Sequence, residues 1–158
     1  PASPTDLLIG FSSGGFLRGM IVAALTLIAA MLLVDLPIHH PVVLVPALLL
    51  TGFIFAQLGV HVGLRAEQFD DVALYQQFVL QPLIFLGGIF YSASLLPEPF
   101  QTLTHFNPIY YMINLVRYGF LGYTDASIWQ SMFALALAAA VLFAVNLTLF
   151  RRGYRLRV

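Results

Sequence analysis

Seven acidic and four histidine side chains are the groups from which acid–base, nucleophilic or metal chemistry would be built, and cysteine is absent. Glu67, Asp70 and Asp71 resemble a paired-carboxylate site. General acid–base catalysis also requires a cleft and a partner proton donor, and nothing nearby in sequence supplies one, so the cluster reads as a solvated surface beside Arg65. His39 and His40 invite a metal reading, but adjacent residues project apart and no third ligand is near, so they read as part of a wet turn. Gln57 and His61 stand four apart and share a helix face, which favours a hydrogen bond to another helix over a proton or substrate role. Without cysteine there is no disulfide and no thiolate metal site. No catalytic, cofactor-binding or metal-binding residue is assigned.

The elements that carry these residues are apolar. Sixty per cent of the chain is hydrophobic, 9% is charged and the mean hydropathy is +0.91, whereas a soluble domain carries about 25% charged residues. The charges are segregated: residues 19–34, 36–64, 72–97 and 126–150 contain none. About 20 apolar residues cross the hydrocarbon as a helix, so the pattern predicts an all-α, polytopic membrane protein with four spans. They are placed at Phe16–Leu36, Val42–Leu64, Val72–Leu96 and Ser127–Phe150. The second carries Pro46, expected in its first turn, where a missing N–H costs little. The third carries Pro82, expected to kink it, and the Gly87–Gly88 pair, which allows close backbone approach or a hinge. Gly88 and Ser92 form a small-residue face suited to packing.

Two segments do not fit a span. Residues 1–15 read as a surface helix with Thr5 or Asp6 as its cap, followed by a flexible Ser/Gly exit. Residues 97–123 read as a re-entrant or interfacial segment. Thr102, Thr104 or Asn107 caps its helices, and Pro108 fits the first helical position. Ile109, Met112, Ile113, Val116 and Phe120 recur at helical spacing, which leaves Asn114, Arg117 and Tyr118 on other faces. Tyr110, Tyr111, Tyr118 and Tyr123 suit the headgroup region, as does Trp129 at the start of the last span.

Orientation follows from the basic residues. With four spans, Arg18, Arg65, Arg151, Arg152, Arg155 and Arg157 fall on one side and Arg117 alone on the other. The positive-inside rule makes the six-arginine side cytoplasmic, which puts both ends of the chain inside and residues 97–123 outside. No basic face with interleaved aromatics points to nucleic acid. The chain starts without an initiator Met or a basic-then-apolar leader and is expected to be a piece of a longer polypeptide.

Three stretches taken in order carry a resemblance. They are FDDV at Phe69–Val72, PLIFLGGIFYSASLLPE at Pro82–Glu98 and LTHFNPIYYMINLVRYGFLG at Leu103–Gly122, with SPTDLLIG and GGFLRG ahead of them at Ser3–Gly10 and Gly14–Gly19. Together they resemble the C-terminal part of an ABC type-2 transporter permease, the membrane subunit of bacterial exporters for polysaccharides, lipo-oligosaccharides and drugs. The resemblance implies spans three to six of a six-span subunit, a dimer of permeases in the inner membrane, and a separate ATP-binding subunit. The chain has no GxxxxGK[ST] loop, so ATP and Mg are expected in that partner. On this reading Asp6, Leu7, Arg65, Phe69, Asp70 and Asp71 form the ATPase-coupling surface. Pro82, Gly87, Gly88, Tyr91, Asn107, Pro108, Arg117 and Tyr118 form the gate and pathway. Arg117 is expected to snorkel to lipid or to meet an anionic headgroup or substrate phosphate. Two other classes compete. A membrane-embedded transferase or protease would need carboxylates or a Ser/His pair at bilayer depth, and the acids here stand at span ends. A non-transporting anchor or assembly subunit would need only helices that pack.

Overall fold

The computed structural model describes residues 3–89 and 95–152, with Phe69 described by its backbone only, and all regular structure among them is helical. Seven α-helices occur there: α1 (Pro4–Leu33), α2 (Pro41–Arg65), α3 (Phe69–Tyr75), α4 (Gln81–Leu86), α5 (Glu98–His105), α6 (Pro108–Leu121) and α7 (Ile128–Arg151). A π-helical turn, Gln76–Leu80, joins α3 to α4. Three helices, α1, α2 and α7, are each long and apolar enough to cross a membrane.

The first helix departs from the expected surface helix with a flexible exit. A single 30-residue α1 runs through Ser12–Gly15 without a break. Ser3 caps it and shares a capping box with Asp6: the Asp6 N–H donates to Ser3 Oγ, and the Ser3 N–H donates to Asp6 Oδ2. A glycine inside a helix costs about 1 kcal/mol relative to alanine. An unpaired peptide group in hydrocarbon costs several kcal/mol, so beside lipid the helix continues where an aqueous segment would fray. At ~1.5 Å per residue α1 is ~45 Å long, longer than the ~30 Å hydrocarbon.

Pro41 occupies the first position of α2, so Pro46 lies beyond the first turn expected for it. α2 is the centre of the bundle and packs against α1, α6 and α7. The core joins Ala47 and Ile54 of α2 to Ile109, Met112 and Leu115 of α6 and to Leu135 and Ala139 of α7. α6 has only 14 residues, ~21 Å at the α-helical rise, yet it sits in this core. Its buried positions also include Tyr110, Asn114 and Gly119. The expected stripe through Val116 and Phe120 is therefore displaced, because α2 and α7 clasp α6 from two sides.

The third apolar segment is an arm. Pro82 has no N–H to give to Phe78, and the chain absorbs the fault just ahead of it. The Gln81 N–H reaches back to the Gln76 carbonyl, a five-residue step that inserts one extra residue into the helix. The expected kink is thus a π turn. Along α3 and the π turn most side chains are exposed, including Val72, Leu74, Phe78 and Val79. The arm touches α2 near its start, and α5 and α6 at its end.

Candidate functional site at the end of the third segment

The end of α4 is where the punctuated stretches of the sequence meet. The helix tightens as it stops: the Gly87 N–H donates to the Ile84 carbonyl (3.1 Å) and the Gly88 N–H to that of Phe85 (3.5 Å). Gly88 then turns to φ +81°, a conformation favourable to glycine. A helix end leaves carbonyls without intrahelical donors, and where they are shielded from water they need protein partners. Here three side chains from the α5–α6 hairpin supply them. The single Thr104 O–H is shared between the Leu86 carbonyl at 3.2 Å and the Phe100 carbonyl at 2.8 Å. Asn107 Nδ2 donates to the Leu83 carbonyl at 2.6 Å. Arg117 Nη2 donates to the Gly88 carbonyl at 2.7 Å.

Each donor is itself held. Asn107 is the N-cap of α6, its Oδ1 accepting the Ile109 N–H at 3.0 Å, with Pro108 at the first helical position. One amide thus starts α6 and stops α4. Arg117 pairs through Nη1 with Asp125 Oδ2 at 3.2 Å, and its guanidinium stands 5.8 Å from the Tyr123 ring centroid. These contacts leave its side chain 14% exposed and its guanidinium engaged by protein groups of this chain. Asn114, expected off the packing face, is buried. Its Oδ1 accepts from Thr124 Oγ1 and the Asp125 N–H, while its Nδ2 donates to the Tyr110 carbonyl. Gly87 is pressed against α6, where a Cβ would stand 2.9 Å from Ile113 Cδ1 and 3.0 Å from Ile109 Cγ2.

Of the gate and pathway set, Gly87, Gly88, Asn107, Pro108 and Arg117 meet at this junction. Pro82 stands one turn back along the arm. Tyr118 lies on the far side of α6, stacked on His40 with centroids 4.3 Å apart. The His39 and His40 N–H groups both donate to the Gly119 carbonyl, so the expected wet turn, in which both histidines are exposed, is also tied by its backbone to the end of α6. Tyr91 and Ser92 lie outside the described residues. Two cavities, about 760 and 570 Å³, run along α1 and α2, and none of the described gate residues lines them.

At the other end of the bundle the start of α1 meets the ends of α2 and α7. Gln57 Nε2 donates to Ser12 Oγ (2.9 Å), and Phe11 packs against Phe150 with ring centroids 6.3 Å apart. The six residues of the coupling set belong to this end, the Phe69 side chain lying outside the described residues. Asp70 is exposed. Asp71 serves the backbone, since its Oδ2 accepts the N–H groups of Glu67 (2.7 Å) and Gln68 (3.1 Å) and so caps α3. Among the described residues no group of three His, Asp or Glu side chains could hold a metal ion.

The same end contains a buried amide network. Asn146 Nδ2 donates to both the backbone carbonyl (2.8 Å) and Oε1 (3.0 Å) of Gln57. Its Oδ1 is 3.0 Å from His61 Nδ1. With the Asn146 amide donating to Gln57, that oxygen can only accept, so His61 Nδ1 carries the proton. The face shared by Gln57 and His61 does make a helix–helix hydrogen bond. Sequence reasoning misses Asn146, although a lone amide in an alanine-rich, charge-free run is a visible signal.

The model for the ABC-2 type transporter family matches residues 1–121. The chain belongs to that family. Among curated relatives it is similar to the inner membrane transport permease YadH of Escherichia coli (strain K12), 39% identical over 155 residues, which cover 98% of this chain and 60% of the relative. It is also similar to Nodulation protein J of Rhizobium leguminosarum bv. trifolii, 35% identical over 107 residues, covering 68% of this chain and 41% of the relative. No solved structure matches. The chain therefore spans about three-fifths of the length of the first relatives it matches. The matching family is one of transporters, the first of these relatives carries the name of an inner membrane transport permease, and three helices of this chain are long and apolar enough to cross a membrane.

Proposed function

We propose that the chain forms the substrate pathway of an ATP-driven exporter as part of a permease subunit that pairs with a separate ATP-binding subunit and a second permease copy. The observation that carries the reading is the placement of α6. A helix too short to cross is held in the core, and polar side chains of its hairpin bond the last carbonyls of the third apolar segment. Irregular backbone at bilayer depth is found where it is covered by protein or lines water. An anchor has no need of such a joint.

On this reading α1, α2, the arm and α7 make four crossings, and the α5–α6 hairpin re-enters from the outer side. Six of the seven basic residues fall on the opposite, cytoplasmic side. There the exposed Asp70, the first turn of α1 with Asp6 and Leu7, and the end of α2 at Arg65 face the ATPase. ATP and Mg belong to that partner. Pull on the arm from the cytoplasmic end is resisted at its outer end by the α5–α6 hairpin, which makes this junction the outer gate.

The test is retention of a P-loop ATPase when the complete, tagged permease is extracted in mild detergent. Its consistent absence favours the non-transporting anchor. Orientation is tested separately, on a sequence with no native cysteine. A cysteine in place of Arg157 should resist an impermeant thiol reagent applied to intact cells, and ready labelling from outside would reverse the assignment of sides.

A further inference from the structure

We infer that Thr104, Asn107 and Arg117 form a releasable three-point clamp on the end of α4, the contact that must break when the arm parts from the hairpin. The inference rests on the gate reading above. The three donors come from a hairpin fixed to the core, while all three acceptors, Leu83, Leu86 and Gly88, lie at the end of an arm that is largely unpacked along α3 and the π turn. The contacts therefore join a hairpin packed in the core to an arm that makes few other contacts within this chain.

The arm's own backbone makes the clamp necessary. The tightened turn sends the Gly87 and Gly88 N–H groups to Ile84 and Phe85, so the Leu83 carbonyl loses the donor that a continuing α-helix would give it. Pro82 and the π turn lie just ahead of this break. Parting the two elements leaves three carbonyls and three donors to be met by water or by whatever enters the gap. A buried carbonyl left unmet is costly, so the closed state is favoured until solvent or cargo reaches the joint.

A static cap and a releasable clamp differ in one readout. In the complete permease, assembled with its ATPase in nanodiscs, a reporter Ile109→Cys stands opposite Gly87 and is buried when the joint is closed. Its labelling by a small polar thiol reagent reports opening. Asn107→Ser keeps a cap oxygen for α6 but cannot reach Leu83, and Thr104→Val keeps the shape of threonine without its donor. Each should raise the resting labelling rate about fivefold or more, the scale of one lost hydrogen bond, toward the rate the parent reaches with nucleotide. Variants that label at the parent's resting rate, in a parent that does respond to nucleotide, overturn the clamp. A parent whose labelling ignores nucleotide overturns the gate reading instead. If Asn107→Ser fails to accumulate in the membrane, Thr104→Val alone decides the matter.

Discussion

Replacing Gly119 by alanine tests the seam on which the short helix depends. Gly119 is buried where α6 crosses α2, and a Cβ there would stand 2.7 Å from Leu44 Cβ, 2.9 Å from Leu44 Cδ1 and 3.1 Å from Leu44 Cα. The last of these is backbone and cannot rotate away. The helices must separate, and the Gly119 carbonyl then draws away from the His39 and His40 N–H groups that it accepts at 3.0 and 2.9 Å. Overpacking of this kind costs about 1–3 kcal/mol, set against about 1 kcal/mol of helix propensity that alanine gains over glycine. Gly14→Ala is the control, since Gly14 is also helical and a Cβ there meets nothing within 4 Å. It should gain the propensity alone. Equilibrium unfolding of the complete permease by SDS titration in mixed micelles should then place Gly119→Ala below Gly14→Ala by about 1–3 kcal/mol. Equal stabilities would mean that α6 does not meet α2 at this seam, and the placement of the gate would go with it.

Three further outcomes follow from contacts already described. Asn146→Ala removes two bonds to Gln57 and one to His61 in a buried setting. It should cost about 1–3 kcal/mol per group left unmet, read by the same titration, and a loss under about 0.5 kcal/mol would contradict the burial. Asp71→Ala should destabilise the start of α3 by about 1 kcal/mol through loss of its cap, seen as faster amide exchange at Glu67 and Gln68. Asp70→Ala should leave exchange there unchanged and lower only ATPase coupling. Deleting Gln77 should be tolerated, because removing one residue turns the π turn back into an α turn with both flanks in register. Deleting Ala138 should abolish a monodisperse peak on size-exclusion chromatography, since it swings Asn146 out of its network by about 100°. Equal behaviour of the two deletions would argue against the π turn.

What the sequence made legible was whatever depends on one helix at a time. Charge-free runs located α1, α2 and α7, Asn107–Pro108 announced the start of α6, and the spacing of Gln57 and His61 announced a partner across a helix interface. Contacts spanning the chain were not legible. Asn107 and Leu83 are 24 residues apart, and nothing local says that the amide capping α6 also serves the end of α4. Arg117 looked free because its acceptor is a backbone carbonyl, which has no sequence signature, and Asp125 stands beyond the end of its helix. Ser12–Gly15 misled for a different reason: glycine and serine break helices where the open backbone can be solvated, but here Ser12 is buried and bonded to Gln57 and Gly15 faces Ala56 of α2.

The amide knot among Ser12, Gln57, His61 and Asn146 sets which pieces of the chain can slide. Moving any of its three helices one turn along a neighbour would strand amide groups in oil. The arm is tied instead at the end of α4, by the bonds from Thr104, Asn107 and Arg117, and its middle presents Gln76 and Gln77 beside Phe78 and Val79 on the surface of this chain. Displacement is thus channelled away from the three knotted helices and toward the arm, whose described polar ties to the hairpin are gathered at one end.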